Sequence, residues 1–240
     1  MASAEIKTGL NIVITGAGKG MGKSMAEKFA AGNNLFICAR NKNELAEVKN
    51  ELEAQYDCKV FYFSADLSDK KAVIDFGNWV LQHTANIDVL INNAGQFIPG
   101  SIYNEEEGLL EKMIGINLYA AYNLTRVLLP TMMAKKHGHI FNICSIASLT
   151  AYNNGGSYSI SKFALMGFSK NLREELKQYN IKVTSVYPGA VYTSSWYGSN
   201  IPPSRIMEAS DIADLVYASS KLSAQACVED ILVRPQQGDI

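Results

Sequence analysis

A chain of 240 residues is long enough for one large α/β domain to bury most of its apolar surface, so it needs no disulfide or metal staple. Hydrophobic residues make up 48% and charged residues 19%, which argues against disorder. A net charge of −1 gives no electrostatic footprint for nucleic acid or an anionic membrane, and the densest basic run, "AKKHGH" at 134–139, reads as a solvated helix end.

The opening "MASAEIKTGLNIVITG" lacks a charged region followed by a long apolar one, so it does not read as a signal peptide. No later run reaches the length of a membrane span. Short β-branched runs recur at 11–15, 34–39, 59–64, 88–92, 139–144, 182–187 and 230–235. Amphipathic stretches at 21–32, 42–56, 69–84, 105–136, 158–179 and 209–222 separate them. Strands that alternate with helices throughout predict an α/β fold: a doubly wound parallel sheet with helices on both faces. Strands such as "NIVIT" and "DVLIN" are continuously apolar, as burial on both faces requires. No composition break or repeat divides the chain, so 1–240 reads as a single domain.

Cys38, Cys58, Cys144 and Cys227 fall in or beside the apolar runs without CxxC spacing. They read as buried, reduced thiols of a cytoplasmic protein rather than metal ligands, and no metal is expected.

Between the first strand and first helix, "TGAGKGMG" places Gly16, Gly20 and Gly22. Glycines there permit a tight turn, close approach of the backbone to a pyrophosphate, and tight helix–strand packing. The spacing is TGxxxGxG, neither GxGxxG nor the triphosphate P-loop. The second strand ends at Ala39, followed by Arg40, with no carboxylate before Glu44. A basic residue at this point suits a ribose 2′-phosphate, and Lys19 adds a second positive charge, so NADP(H) is expected over NAD(H).

Further along, "GGSYSISKFAL" sets Tyr158 four residues before Lys162. Helical neighbours at that spacing share a face. An ammonium there would favour the ionised phenol and pull its pKa down from about 10. The stretch from about Val191 to Arg205 has no clear period and is aromatic, Pro- and Gly-rich, which fits either a lid over a pocket or a surface loop.

"TGAGKGMG" (15–22), "ADL" (65–67), "NNAG" (92–95), Asn117 in "GINLY", Ser145 in "NICSIAS", "YSISK" (158–162) and "YPGAVYT" (187–193) together resemble the short-chain dehydrogenase/reductase family over nearly the whole chain. The resemblance implies a Rossmann-like domain and an oxidoreductase acting on CH–OH or C=O groups. It makes Asn117, Ser145, Tyr158 and Lys162 the catalytic tetrad. Tyr158 would be the acid/base, and Ser145 would orient the substrate oxygen. Lys162 would lower the tyrosine's pKa and bond the nicotinamide ribose, and the main chain at Asn117 would hold a water linking Lys162 to solvent.

For the cofactor, the resemblance implies Gly16, Lys19, Gly20, Met21, Gly22 and Arg40 on one side. Asp66, at the adenine amino group, and Leu67 follow. Asn92 to Gly95, with Asn93, Ala94 and Gly95 in contact, would form a wall. Pro188, Gly189, Val191 and Thr193 would fix the nicotinamide end.

Within the family, "HGHIFNICS", "YPGAVYTSSW" and the ending "VEDILVRPQQGDI" resemble bacterial sepiapterin reductases more than acyl-carrier-protein ketoreductases. The ending is also similar to NADP-dependent 3-hydroxy amino acid dehydrogenases. Tyr152, Trp196 and Tyr197 are candidate substrate contacts, as aromatic surfaces for a flat pterin. The expected partners are a small carbonyl or alcohol and a second or fourth copy of the chain, a homodimer or homotetramer through the 105–136 and 158–179 helices. Neither nucleic acid nor membrane is expected. The rival from another class is a non-catalytic NADP(H)-binding regulator.

Overall fold

Each apolar run forms a parallel strand in the computed structural model, which describes residues 9–193, 196, 198 and 200–240. The strands are β1 (Asn11–Thr15), β2 (Asn34–Ala39), β3 (Lys59–Ser64), β4 (Val89–Asn92), β5 (Gly138–Ile143), β6 (Ile181–Pro188) and β7 (Asp230–Val233). The helices are α1 (Gly20–Ala30), α2 (Lys42–Gln55), α3 (Lys70–His83), α4 (Leu109–Ile114), α5 (Ala120–Lys135), α6 (Gly156–Leu176) and α7 (Ala209–Ser220). One sheet results, in the order β3-β2-β1-β4-β5-β6-β7. Strand order reverses between β1 and β4, and a crevice opens outside the carboxyl ends of the strands at such a switch point.

Strand alternation splits the core into two layers. Ile12, Ile14, Leu35 and Ile37 face one side with Met25 and Phe29 of α1 and Ile212 and Val216 of α7. Val13, Phe36, Leu90 and Ile140 face the other side with Phe76 of α3, Leu124 and Leu128 of α5, and Leu172 of α6. Both faces are covered, and the polar residues that β4, β5 and β6 carry, Asn92, His139, Asn142, Thr184 and Ser185, are buried along with the apolar ones. On the second side α3 and α5 approach closely at Gly77, where a Cβ would stand 2.7 Å from Val127 Cγ1.

The predicted helix at 105–136 is not continuous. It begins at Leu109, widens into a π-turn over Gly115–Tyr119 and resumes as α5. The Ala120 N–H reaches back to Gly115 O. The π-turn contains Asn117, whose side chain is drawn out of the helix register toward the main chain of Gln96. Single π-turns of this kind recur at functional sites. The strand expected at 88–92 starts at Val89, and Asp88 instead accepts the Asn11 N–H at 2.8 Å. The strand expected at 230–235 ends at Val233.

His139 on β5 is buried, its ring stacked 3.9 Å from that of Phe141. The Thr184 hydroxyl donates to Val228 O at 2.5 Å, so its oxygen accepts from His139 Nε2–H at 2.7 Å. Burial, helped by the charge of Lys182, pushes the imidazole down to about 3. The unfolded chain therefore takes up this proton near pH 6.5 while the folded chain does not. The stabilisation is complete above about pH 6.5 and drains away as pH falls toward 3. Lowering the pH from 7 to 5 is expected to cost about 2 kcal/mol through this residue alone. Urea midpoints of the wild type and His139→Asn at both pH values check it; an unchanged pH dependence in the variant removes the assignment.

Candidate active site

A groove of about 430 Å³ opens at the carboxyl ends of β1, β2 and β4. It collects nearly every residue that the sequence placed at the dinucleotide: Gly16, Lys19, Gly20, Met21 and Gly22 from the β1–α1 turn, Arg40 after β2, Asp66 and Leu67 after β3, Asn93, Ala94 and Gly95 after β4, and Thr193 after β6.

The turn depends on its glycines. Gly16 has φ +68° and Gly20 φ +55°, a left-handed region that strains other residues. A Cβ on Gly22 would collide with Gly16 O and stand 2.7 Å from Asn93 Nδ2. The Asn93 side chain is held there because it donates to Thr15 O at 2.9 Å and Gly16 O at 3.2 Å. Thr15 in turn accepts the N–H groups of Asn93 and Ala94 on its hydroxyl, at 3.0 and 2.9 Å. The result is a bare backbone cradle opening onto the first turn of α1. The first N–H groups of a helix point outward and favour an anion, so a pyrophosphate fits this cradle.

At the far end of the groove stand Lys19 and Arg40, with Glu44 beside them. A Cβ on Gly18 would lie 2.9 Å from Glu44 Oε2 and 3.4 Å from Ala39 Cβ, so the carboxylate reaches across the end of β2. The Asp66 carboxylate is held below its ordinary range, mainly because it accepts the N–H and hydroxyl of Ser68, both within 3.0 Å. The positive charge of Arg40 adds to this.

The four expected catalytic residues converge beside the β4 end of the groove. Ser145 caps a short helical turn over Ile146–Ser148 and accepts the Ala147 N–H at 3.1 Å. Its hydroxyl also bonds Tyr158 in the first turn of α6, which favours the phenolate. Lys162, one turn further along α6, is buried and donates to Ile143 O at 2.8 Å, its Nζ 5.9 Å from the Tyr158 ring centre. Asn117 is buried and donates to Ser161 Oγ at 2.9 Å, and Ser161 donates to Tyr158 O at 2.7 Å. Gly95 seals the contact, since a Cβ there would stand 2.9 Å from Asn117 Oδ1 and 3.6 Å from Lys162 Nζ.

The electrostatics differ from the expected direction. Spacing alone suggests a phenol pulled below its usual value by Lys162. Instead burial pushes Tyr158 up to about 12, and only the Ser145 hydrogen bond opposes it. Burial also pulls Lys162 down to about 8. At neutral pH the phenol therefore holds its proton.

Pro188, Gly189 and Val191 lie at and beyond the carboxyl end of β6. Pro188 ends β6, Gly189 packs on Pro235, and Val191 is buried in a bridge to Met207. Tyr152 is exposed and its ring lies against Gly155. The Trp196 main-chain N–H donates to Thr193 O at 3.0 Å, and Tyr197 lies outside the described residues. The irregular stretch at 191–205 ends at Arg205, whose guanidinium donates to the carbonyls of Gly238 and Asp239 at 2.9 and 3.1 Å. Sequence reasoning missed Gln96, Phe97 and Glu105. No spacing rule marks them, because they act through contacts with residues far along the chain.

Among the described residues, no group of three or more His, Cys, Asp or Glu is placed to hold a metal ion, and no helix is long and apolar enough to cross a membrane.

Residues 10–200 match the short chain dehydrogenase family profile. The sepiapterin reductase of Chlorobaculum tepidum is 31% identical over 238 residues, 95% of this chain and 97% of that protein. A metagenomic short-chain oxidoreductase solved with NADP is 32% identical, with a TM-score of 0.83 over 95% of this chain and 98% of that one. The L-sorbose reductase of Gluconobacter frateurii, solved with NADPH and L-sorbose, superimposes with a TM-score of 0.88 at 25% identity over 97% of this chain and 98% of that one.

Proposed function

The chain belongs to the short-chain dehydrogenase family, and from that premise we propose that it is an NADPH-dependent reductase that converts a small-molecule carbonyl to an alcohol. The observation that carries this reading is the placement of Tyr158. It stands bonded to Ser145 and above Lys162, where the glycine-lined groove meets the end of β4.

NADPH is the group that this groove fits: Gly16, Gly20 and Gly22 leave room for the pyrophosphate, and Lys19 and Arg40 face the adenosine end. When bound, it supplies the hydride. The chain's own residues manage the proton and the oxygen. The Ser145 hydroxyl orients the substrate carbonyl toward the phenol. Tyr158, protonated at neutral pH because burial holds its pKa high, donates to the oxygen as negative charge grows on it. The phenolate left behind is stabilised by the Ser145 hydroxyl and by the Lys162 ammonium one helical turn away. A π-turn disturbs the regular helical pairing, and the main chain at Asn117 would hold a water through which Lys162 returns the proton to Tyr158.

Two observations favour an aromatic carbonyl substrate of the kind a sepiapterin reductase takes. Phe97 meets Tyr158 edge-to-face at 4.8 Å, and Phe97 and Tyr152 both keep nearly half of their surface open to solvent. A 3-oxoacyl thioester or a 3-hydroxy amino acid would use the same chemistry on a differently shaped pocket. A non-catalytic NADP(H)-binding regulator would need none of the four catalytic groups, and all four are present and convergent.

Cofactor choice is tested at Arg40. Its guanidinium suits a ribose 2′-phosphate, and each charge-assisted hydrogen bond contributes about 1.5–3 kcal/mol. Arg40→Asp places a second carboxylate beside Glu44, where a 2′-hydroxyl is favoured and a 2′-phosphate is repelled. The variant is expected to lose about 10- to 100-fold in kcat/KM for NADPH and to prefer NADH. An unchanged ratio of the two cofactors would remove the 2′-phosphate role.

A further inference from the structure

Glu105 lies outside the groove, on the segment between β4 and α4, yet its carboxylate reaches the first turn of α6. Oε1 accepts the Ser157 N–H at 2.8 Å and Oε2 accepts the Ser157 hydroxyl. The residue just before the helix, Gly155, has no side chain to cap it. Glu105 supplies the missing acceptor from 52 residues away. Gly156 has φ +32°, and a Cβ there would collide with Glu105 Oε1 and with Gly100 O, so the carboxylate fills the space a side chain would take. A carboxylate at this end of a helix also faces the favourable end of its dipole.

The same segment is tied down at three further points. Gly100 N–H donates to Asn154 O at 3.0 Å, and the Ser101 hydroxyl donates to Asn154 Oδ1 at 2.9 Å. At the other end the Asn117 side chain accepts the Gln96 N–H at 2.8 Å and donates to Gln96 O at 3.0 Å. Between these anchors sits Phe97, with its ring against Tyr158.

We propose that Glu105 is a positioning residue for Tyr158. By clamping the segment to Ser157, it fixes the helix turn that carries the phenol and holds Phe97 against it. The first turn of a helix has the fewest internal hydrogen bonds and frays first without a cap. Tyr158 stands in that turn, one residue past the clamp. Loss of the carboxylate therefore lets the acid drift from the reacting oxygen, while the glycine cradle at the far side of the groove stays intact. The inference rests on the carbonyl reductase reading above.

The test uses the full chain as wild type, Glu105→Ala and Glu105→Gln, with three readouts: NADPH affinity by fluorescence titration, kcat on a carbonyl that the wild type reduces, and amide exchange over residues 156–160. Glu105→Ala is expected to lower kcat about 100-fold, the penalty of a displacement near 1 Å at a reacting group. NADPH affinity should change less than about threefold, and exchange at Ser157 should quicken. Glu105→Gln keeps an acceptor for the Ser157 N–H and should recover kcat to within about tenfold of the wild type. Wild-type kcat in the alanine variant overturns the proposal. So does a parallel loss of NADPH affinity and kcat that the glutamine does not rescue. A wild type that binds NADPH but reduces no carbonyl in the panel removes the reductase reading and this proposal with it; faster exchange in Glu105→Ala would then report a clamp without catalysis.

Discussion

Tyr158→Phe is expected to lower carbonyl-dependent NADPH oxidation by about 10²- to 10⁴-fold, the usual contribution of a general acid, while NADPH still binds. The substitution deletes one hydroxyl. The phenyl ring keeps its edge-to-face contact with Phe97 at 4.8 Å, so packing around the first turn of α6 survives. What disappears is the proton held on the phenol oxygen, together with its bond to Ser145. No other acid stands ready to replace it. Lys162 is committed to Ile143 O at 2.8 Å, and the Ser145 hydroxyl is far too weak an acid to protonate an alkoxide at neutral pH. The fall should appear in kcat rather than KM, because the proton is delivered in the transition state. Steady-state kinetics beside an NADPH titration separate the two. A variant with full activity on the true substrate would show the acid to lie elsewhere.

Gly22→Ala is the second large effect, and it strikes at binding. A single methyl must find room where Gly16 O already sits and where Asn93 Nδ2 is 2.7 Å away. Neither neighbour is free to move. The Asn93 amide is fixed by donation to Thr15 O and Gly16 O, and Gly16 is locked at φ +68°. The start of α1 must therefore lift off the strand, opening the cradle. Overpacking of this kind costs about 1–3 kcal/mol of stability, and the loss of cradle geometry should weaken NADPH binding about 100-fold. Gly18→Ala is the matched control. There the nearest atom is the mobile end of the Glu44 side chain at 2.9 Å, which can swing aside. Its NADPH affinity should stay within about twofold of the wild type. Fluorescence titrations and urea midpoints on both variants decide the matter, and equal affinities would deny the cradle its role.

The strands and the glycine turn were legible because their signals are local. β1, β2 and β3 span the same residues as the apolar runs that announced them. The alternation of strand and helix implied a parallel sheet, and the two-sided core explains why runs such as "NIVIT" are almost wholly apolar. The break at Gly115–Tyr119 left no mark on the helical period, because its cause is a long-range bond between Asn117 and the main chain of Gln96. Glu105 hid for the same reason: it lies in a polar run of three glutamates, and only the folded chain sets it against Ser157.

The spacing of Tyr158 and Lys162 placed both groups on one helix face, but it carried no information about desolvation. Burial proved stronger than the neighbouring charge, so the phenol rises to about 12 instead of falling. Arg40 and Lys19 reached the groove as their positions suggested, and Glu44 came with them because the first turn of α2 packs over the end of β2. Pro188 pairs with Val233 of β7, Gly189 packs on Pro235 and Val191 bridges to Met207, contacts that no local spacing announces.

In the proposed reaction this chain moves a hydride onto a carbonyl with Tyr158 as the proton source. The most direct test is NADPH consumption by the wild type and Tyr158→Phe across sepiapterin, a 3-oxoacyl thioester and a ketose, with 3-hydroxy amino acids and NADP⁺ for the reverse direction. Turnover of at least one carbonyl is expected, favouring sepiapterin, with stoichiometric alcohol formation that the variant loses. Tight NADPH binding with no turnover of any substrate would contradict it and would make the protein a binder of the cofactor rather than its user.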